Sequence, residues 1–150
     1  MLSPVVSKPA GPAKNVLGVF VDVTLDGVAT GGLYTAYVLN VPPQAGPPPH
    51  RHDAFDEAFY VVSGAVEVVL GDAALAAGPG THVFIPRGVV HAFRNVGVET
   101  ATMLGTATPS GHEQFFEEAD RLAAEGRMSM EDVLGLCARN GIEVVLPPAG

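Results

Sequence analysis

Three of the five histidines in this 150-residue chain have the type and spacing to hold a metal ion. His50 and His52 are two positions apart, so on a strand both imidazoles point to the same face. Glu57 follows at the mouth of the next strand-like run, and His91 stands at the start of another. Three neutral imidazoles and one carboxylate, brought from separate strands, can surround a single divalent first-row ion. A His-x-His pair alone is more often surface or satisfied polar structure than ligand. The other two histidines invite ordinary readings. His82 alternates with Val83 as a common strand residue, and His112 falls in the first turn of a helix, where a cationic ring would oppose the helix dipole, so it is expected to face solvent. The single cysteine, Cys137, lies in an apolar helical stripe and is expected to pack rather than react. One cysteine also rules out an internal disulfide framework and a cysteine-rich zinc site, which suits a reducing compartment.

The elements that must position these groups are short and turn-bounded. Eighteen glycines and thirteen prolines punctuate β-branched or aromatic runs at Val16–Val23, Tyr34–Val41, Ala58–Ser63, Val66–Leu70, His82–Ile85, Ala92–Asn95 and Ala101–Ala107. Runs of that length and spacing predict an antiparallel sandwich or barrel. Gly64 reads as the turn of a hairpin between two of them. Residues 1–15 show no periodicity and read as an N-terminal arm. After Thr108 the period switches to about 3.6. Ser110 and Glu113 read as a capping box before a helix with Phe115, Phe116, Ala119, Leu122 and Ala123 on one face, ending at Gly126. A second helix is predicted from Ser129, with Met130, Val133, Leu134 and Cys137 on one face and Gly141 as its stop, followed by a last strand over Ile142–Leu146. Seven acidic residues between Glu113 and Asp132 read as a solvated helix surface.

A net charge of −8 repels polyanions, so nucleic acid and anionic membrane are excluded as partners. No apolar run approaches the ~18 residues of a spanning helix, and the N-terminus lacks a basic segment ahead of an apolar one. A cytoplasmic location is the expectation.

The surroundings of the histidines are more specific than the histidines. Gly46-Pro47-Pro48-Pro49 leads into His50-x-His52-x4-Glu57-x6-Gly64, and downstream stands Gly80-x5-Pro86-x-Gly88-x2-His91-x3-Asn95. Together these blocks resemble the two motifs of the cupin superfamily; only Gly46 departs, with three residues between it and His50 instead of five. The resemblance implies an all-β, jelly-roll-like barrel over residues 16–107, with residues 108–150 forming one or two short C-terminal helices and a final strand packed on it. It further implies that His50, His52, Glu57 and His91 hold one divalent transition metal ion (Fe, Mn, Ni, Co, Cu or Zn). With Glu57 and His91 pointing inward, strand alternation would add Phe59, Val61 and Phe93 as a pocket wall, joined by Tyr37 and Leu39. Asn95 is expected to hold a turn, and the Phe115–Phe116 helix to pack on the barrel or cover one end as a lid. Phe59-Tyr60-Val61, the Pro86–His91 loop and the tail from Asn140 to Pro148 are similar to small bacterial cupins of the quercetin-dioxygenase-like type. By that resemblance Glu57 would serve as both ligand and catalytic base. The implied activity is a metal-dependent dioxygenase acting on a small hydroxylated aromatic or enolisable compound. A metal-dependent isomerase, cyclase or lyase, or a non-catalytic small-molecule-binding barrel, is the alternative. The resemblance also implies a homodimer.

Overall fold

Alternating burial runs through nearly every strand of the structure, a computed structural model that describes residues 2–146. Thr35, Tyr37, Leu39 and Val41 of β3 (Thr35–Val41) face inward while their neighbours do not, and β10 (Ala101–Thr108) repeats the pattern with Ala101, Met103, Gly105 and Ala107. These two strands pair antiparallel at the centre of a six-stranded sheet, together with β1 (Lys14–Val16), β2 (Val19–Leu25), β5 (Asp56–Ser63) and β8 (His82–Ile85), in the order β1-β2-β3-β10-β5-β8. A second sheet of five strands has the order β11-β4-β9-β6-β7, where β4 is His50–His52, β6 Val66–Leu70, β7 Ala73–Ala77, β9 His91–Asn95 and β11 Ile142–Val144. The inward faces of both sheets form the core, an all-β sandwich as the sequence predicts.

The structure redraws several local expectations. Val16–Val23 is not one strand: Leu17 and Gly18 both take positive φ (54° and 88°) and fold the run into the β1–β2 hairpin, the backbone such tight turns require. Gly64 does not close a hairpin, because β5 before it and β6 after it belong to different sheets. β7, unforeseen in an alanine-rich segment, pairs with β6 through the Gly71-Asp72 turn. Pro147 and Pro148 of the C-terminal tail lie outside the described residues.

Two helices follow the sandwich. In α1 (Glu113–Ala124) Phe115, Phe116, Ala119 and Leu122 are buried, matching the apolar stripe. Its start differs from the expected capping box. His112 is the N-cap residue and Ser110 makes no cap; the Glu113 carboxylate instead accepts from Thr35 Oγ1 and from the backbone N–H groups of Gly27 and Gly111, each of the latter at 2.9 Å. Those tertiary bonds outcompete a local cap, and they nail the first turn of α1 to β3 and the β2–β3 loop. The second helix, α2 (Met130–Arg139), has the Ser129–Asp132 capping box that its sequence suggests. Its buried face is Leu136 and Cys137, with Val133 beside them; Met130, expected on that face, is exposed at the first helical position. No helix among the described residues is long and apolar enough to cross a membrane.

Candidate metal centre

β4 is only three residues long, but it is held from both sides. β11 pairs with it through Ile142–His52 and Val144–His50, and β9 brings His91 directly opposite His50. The three prolines before His50 restrict the lead-in. Gly46 ahead of them is needed where it stands, since a Cβ there would lie 1.9 Å from the carbonyl oxygen of Phe93. The short approach loop is thereby seated on β9, the strand that carries the third histidine.

His50, His52 and His91 each offer one ligand atom, and these atoms lie within 4.8 Å of one another. Each ring spends Nδ1 on a backbone carbonyl: His50 on Pro48 at 2.9 Å, His52 on Phe55 at 3.1 Å and His91 on Val89 at 2.8 Å. A carbonyl only accepts, so each neutral ring carries its proton on Nδ1 and keeps a lone pair on Nε2. Burial first, then the neighbouring His91, pushes the His50 pKa down to about 4, which keeps it neutral near pH 7.

Glu57 enters from the opposite sheet. Its Oε1 lies 3.3 Å from His52 Nε2 and 3.5 Å from His91 Nε2, adjoining the compact trio without being part of it. Burial alone would raise its pKa, but the closeness of the His52, His91 and His112 rings outweighs that and holds the carboxyl well below its ordinary range. The result is a buried cluster of lone pairs facing each other. His91 Nε2 is fully buried with no hydrogen-bond partner among the described residues. Such an arrangement is costly unless a cation occupies its centre, and the carbonyl-anchored imidazoles are the usual outer support of a metal ligand. The donor set therefore fits a divalent first-row ion, held by the three histidines with Glu57 alongside.

The other oxygen of Glu57 is also engaged. Tyr37 donates its hydroxyl to Oε2, and burial followed by the Glu57 charge raises the Tyr37 pKa far enough to keep that proton in place. The tyrosine ring fits because its partner across the ladder is Gly105; a Cβ there would lie 2.2 Å from Tyr37 Cε2.

A cavity of about 80 Å³ adjoins the cluster. Tyr37, Leu39, Phe59 and Phe93 line it, as does His50, and among the described residues no lysine or arginine does. Val61 is fully buried in the core but does not line the cavity. Phe59 and Phe93 meet edge to face at 5.5 Å, one from each sheet. Phe93→Ala is expected to enlarge the cavity and to cost about 3–5 kcal/mol, the usual penalty for truncating a buried phenylalanine; a denaturant midpoint within error of the parent protein would contradict this.

His112 overturns its expectation. It is buried, and its Nε2 lies 3.6 Å from Glu57 Oε2. The anchoring of Glu113 turns the preceding residue into the cavity rather than outward. The available signal was its spacing: His112 stands three and four residues before Phe115 and Phe116, so all three share one face of the helical turn. His82 is exposed, beside Tyr60. Cys137 is buried and lines the far end of the cavity. Asn95 fixes a turn, donating to the carbonyls of Val41 and Glu99 and accepting from Gly97 N–H.

Residues 37–106 match the family model described as "Cupin domain". The matched stretch holds all four motif residues, and the two sheets have the cupin fold. Solved structures agree. The polyketide cyclase RemF from Streptomyces resistomycificus is similar at 25% identity and a TM-score of 0.57, covering 73% of this chain and 81% of its own. KdgF from a Halomonas species is similar at 21% identity and a TM-score of 0.58, with 65% and 84% covered. A protein described as "a predicted oxalate decarboxylase" from Thermotoga maritima gives 18% identity and a TM-score of 0.63, with 70% and 99% covered. No curated protein sequence matches the chain.

Proposed function

We propose that this protein is a metal-dependent enzyme acting on a small, uncharged hydroxylated aromatic or enolisable compound, and that it is a dioxygenase of the quercetin-dioxygenase-like type. The observation that carries the reading is the set of three carbonyl-anchored imidazoles beside a buried carboxylate, opening on an apolar cavity with no basic side chain. A divalent ion held by His50, His52, His91 and Glu57 would supply Lewis acidity toward a hydroxyl or enol oxygen and a site for redox chemistry. Glu57 is the base: it is ionised, buried and, among the described residues, the sole acidic residue lining the cavity. Tyr37 holds Oε2, leaving Oε1 toward the histidines. Phe59 and Phe93 exclude water and offer flat faces to a planar ligand.

A cyclase or isomerase reading, in which Glu57 moves the proton and dioxygen takes no part, is supported by the likeness to a polyketide cyclase. An oxygen electrode separates the two. Flavonols, catechols and enolised diketones presented to the metal-loaded protein in air are expected to include one that is consumed with matching oxygen uptake. Turnover that persists under strict anaerobiosis would favour the cyclase reading, and binding without turnover a non-catalytic barrel.

The same proposal includes a homodimer in the cytoplasm. Phe20, Tyr60, Phe84 and Leu104 are exposed on the outward face of the six-stranded sheet, whose centre carries no charge. The apolar side chains of that centre give two copies a surface to bury, with Asp22 of β2 toward its margin. Light scattering is expected to give twice the 15.4 kDa chain mass, and a monomer mass would refute the dimer.

A further inference from the structure

His112 is a buried ring whose nitrogens are unspent. Its Nε2 lies 3.6 Å from Glu57 Oε2, beyond hydrogen-bond length, and among the described residues the ring makes no hydrogen bond. The three histidines of the metal centre differ, each having committed Nδ1 to a carbonyl. A polar ring 9% exposed and without a partner is unfavourable unless something supplies one. The ring is nevertheless firmly placed. Phe55 and Phe116 flank it at centroid distances of 4.5 and 4.4 Å, Phe115 stacks parallel to it at 5.6 Å, and Glu113 fixes the adjoining backbone to Thr35 and Gly27. It lines the cavity beside Glu57 Oε2, with its ring centroid 6.2 Å from that of His52.

We propose that His112 is a substrate-binding residue that hydrogen-bonds a second oxygen of the substrate and so selects compounds with two adjacent oxygens over those with one. This rests on the reading of the cavity as a substrate site. The Glu57 carboxylate spans the gap, with Oε1 beside His52 and His91 and Oε2 beside His112. A flat ligand lying along that carboxylate meets the trio with one oxygen and His112 with the next. A vicinal diol on an aromatic ring, or an α-hydroxy enone, has that arrangement; a simple phenol does not.

The test uses catechol and phenol as probes, titrated calorimetrically without oxygen into metal-loaded wild type and His112→Phe. Phenylalanine suits a site already walled by Phe55, Phe115 and Phe116; His112→Ala reads the same loss by truncation if the larger ring is not accommodated. Catechol affinity is expected to fall about tenfold in either variant, the scale of one hydrogen bond, while phenol affinity and metal content stay at wild-type levels. Unchanged catechol affinity with both probes binding would overturn the role of His112 alone. Loss of the metal would overturn it too, by making His112 a ligand. Failure of wild type to bind either probe would overturn the substrate-site reading, and this proposal with it.

Discussion

His91→Ala is expected to purify almost free of metal while keeping its barrel. Removing even an outer partner of a metal ligand lowers affinity by about 10–100-fold, so removing a ligand should cost more. The fold should tolerate the change because, although the Val89 carbonyl loses its partner, the buried Nε2 had none among the described residues and the aliphatic and aromatic core between the sheets is kept. His52→Ala should behave alike. Elemental analysis of protein prepared without chelator, beside circular dichroism, checks both statements. His82→Ala is the control, since that ring is exposed and stands beside Tyr60 instead of the centre. Full occupancy in both the His52 and His91 variants would remove the metal centre from consideration.

Glu57→Gln should separate holding the ion from moving the proton. The amide oxygen can keep the place of Oε1 beside the histidines while its N–H donates to the Tyr37 hydroxyl oxygen, and the side-chain volume is nearly unchanged, so metal occupancy should fall modestly. Turnover should fall by about 10² or more, the scale of a lost general base, because no other acidic side chain lines the cavity to replace it. The measurement is initial rate against metal content in the same preparation. Equal rates per bound ion would reduce Glu57 to a spectator and leave a binding barrel as the better description.

The histidine trio and Glu57 were legible because their relation is local. Two residues on one strand share a face, and the turn glycines and prolines of the two motifs announce which strands must meet. Tyr37 and Leu39 could be assigned to the cavity wall by the same alternation. What escaped depends on contacts distant in sequence. His112 reads as a helix-start residue in solvent until Glu113 is seen bound to Thr35, 78 positions away. Val61 has the right parity to face inward, yet parity says nothing of depth along the strand, and it packs in the core beyond the cavity. The chain reversal at Leu17 was hidden because a leucine seldom adopts positive φ, and the β7 alanines have little strand preference until β6 lies beside them.

All three histidines sit on one sheet, tied together by the β4–β9 pairing, while Glu57 and Tyr37 ride on the other. The centre is thus built like a calliper, with the ligand trio on one jaw and the base on the other. The ring pair Phe59–Phe93 is the shim that fixes the gap. A slide or tilt of one jaw changes the reach of the carboxylate without altering the geometry within the trio, so substitutions in the hydrophobic seam can retune proton transfer in a protein whose ligand residues are all intact.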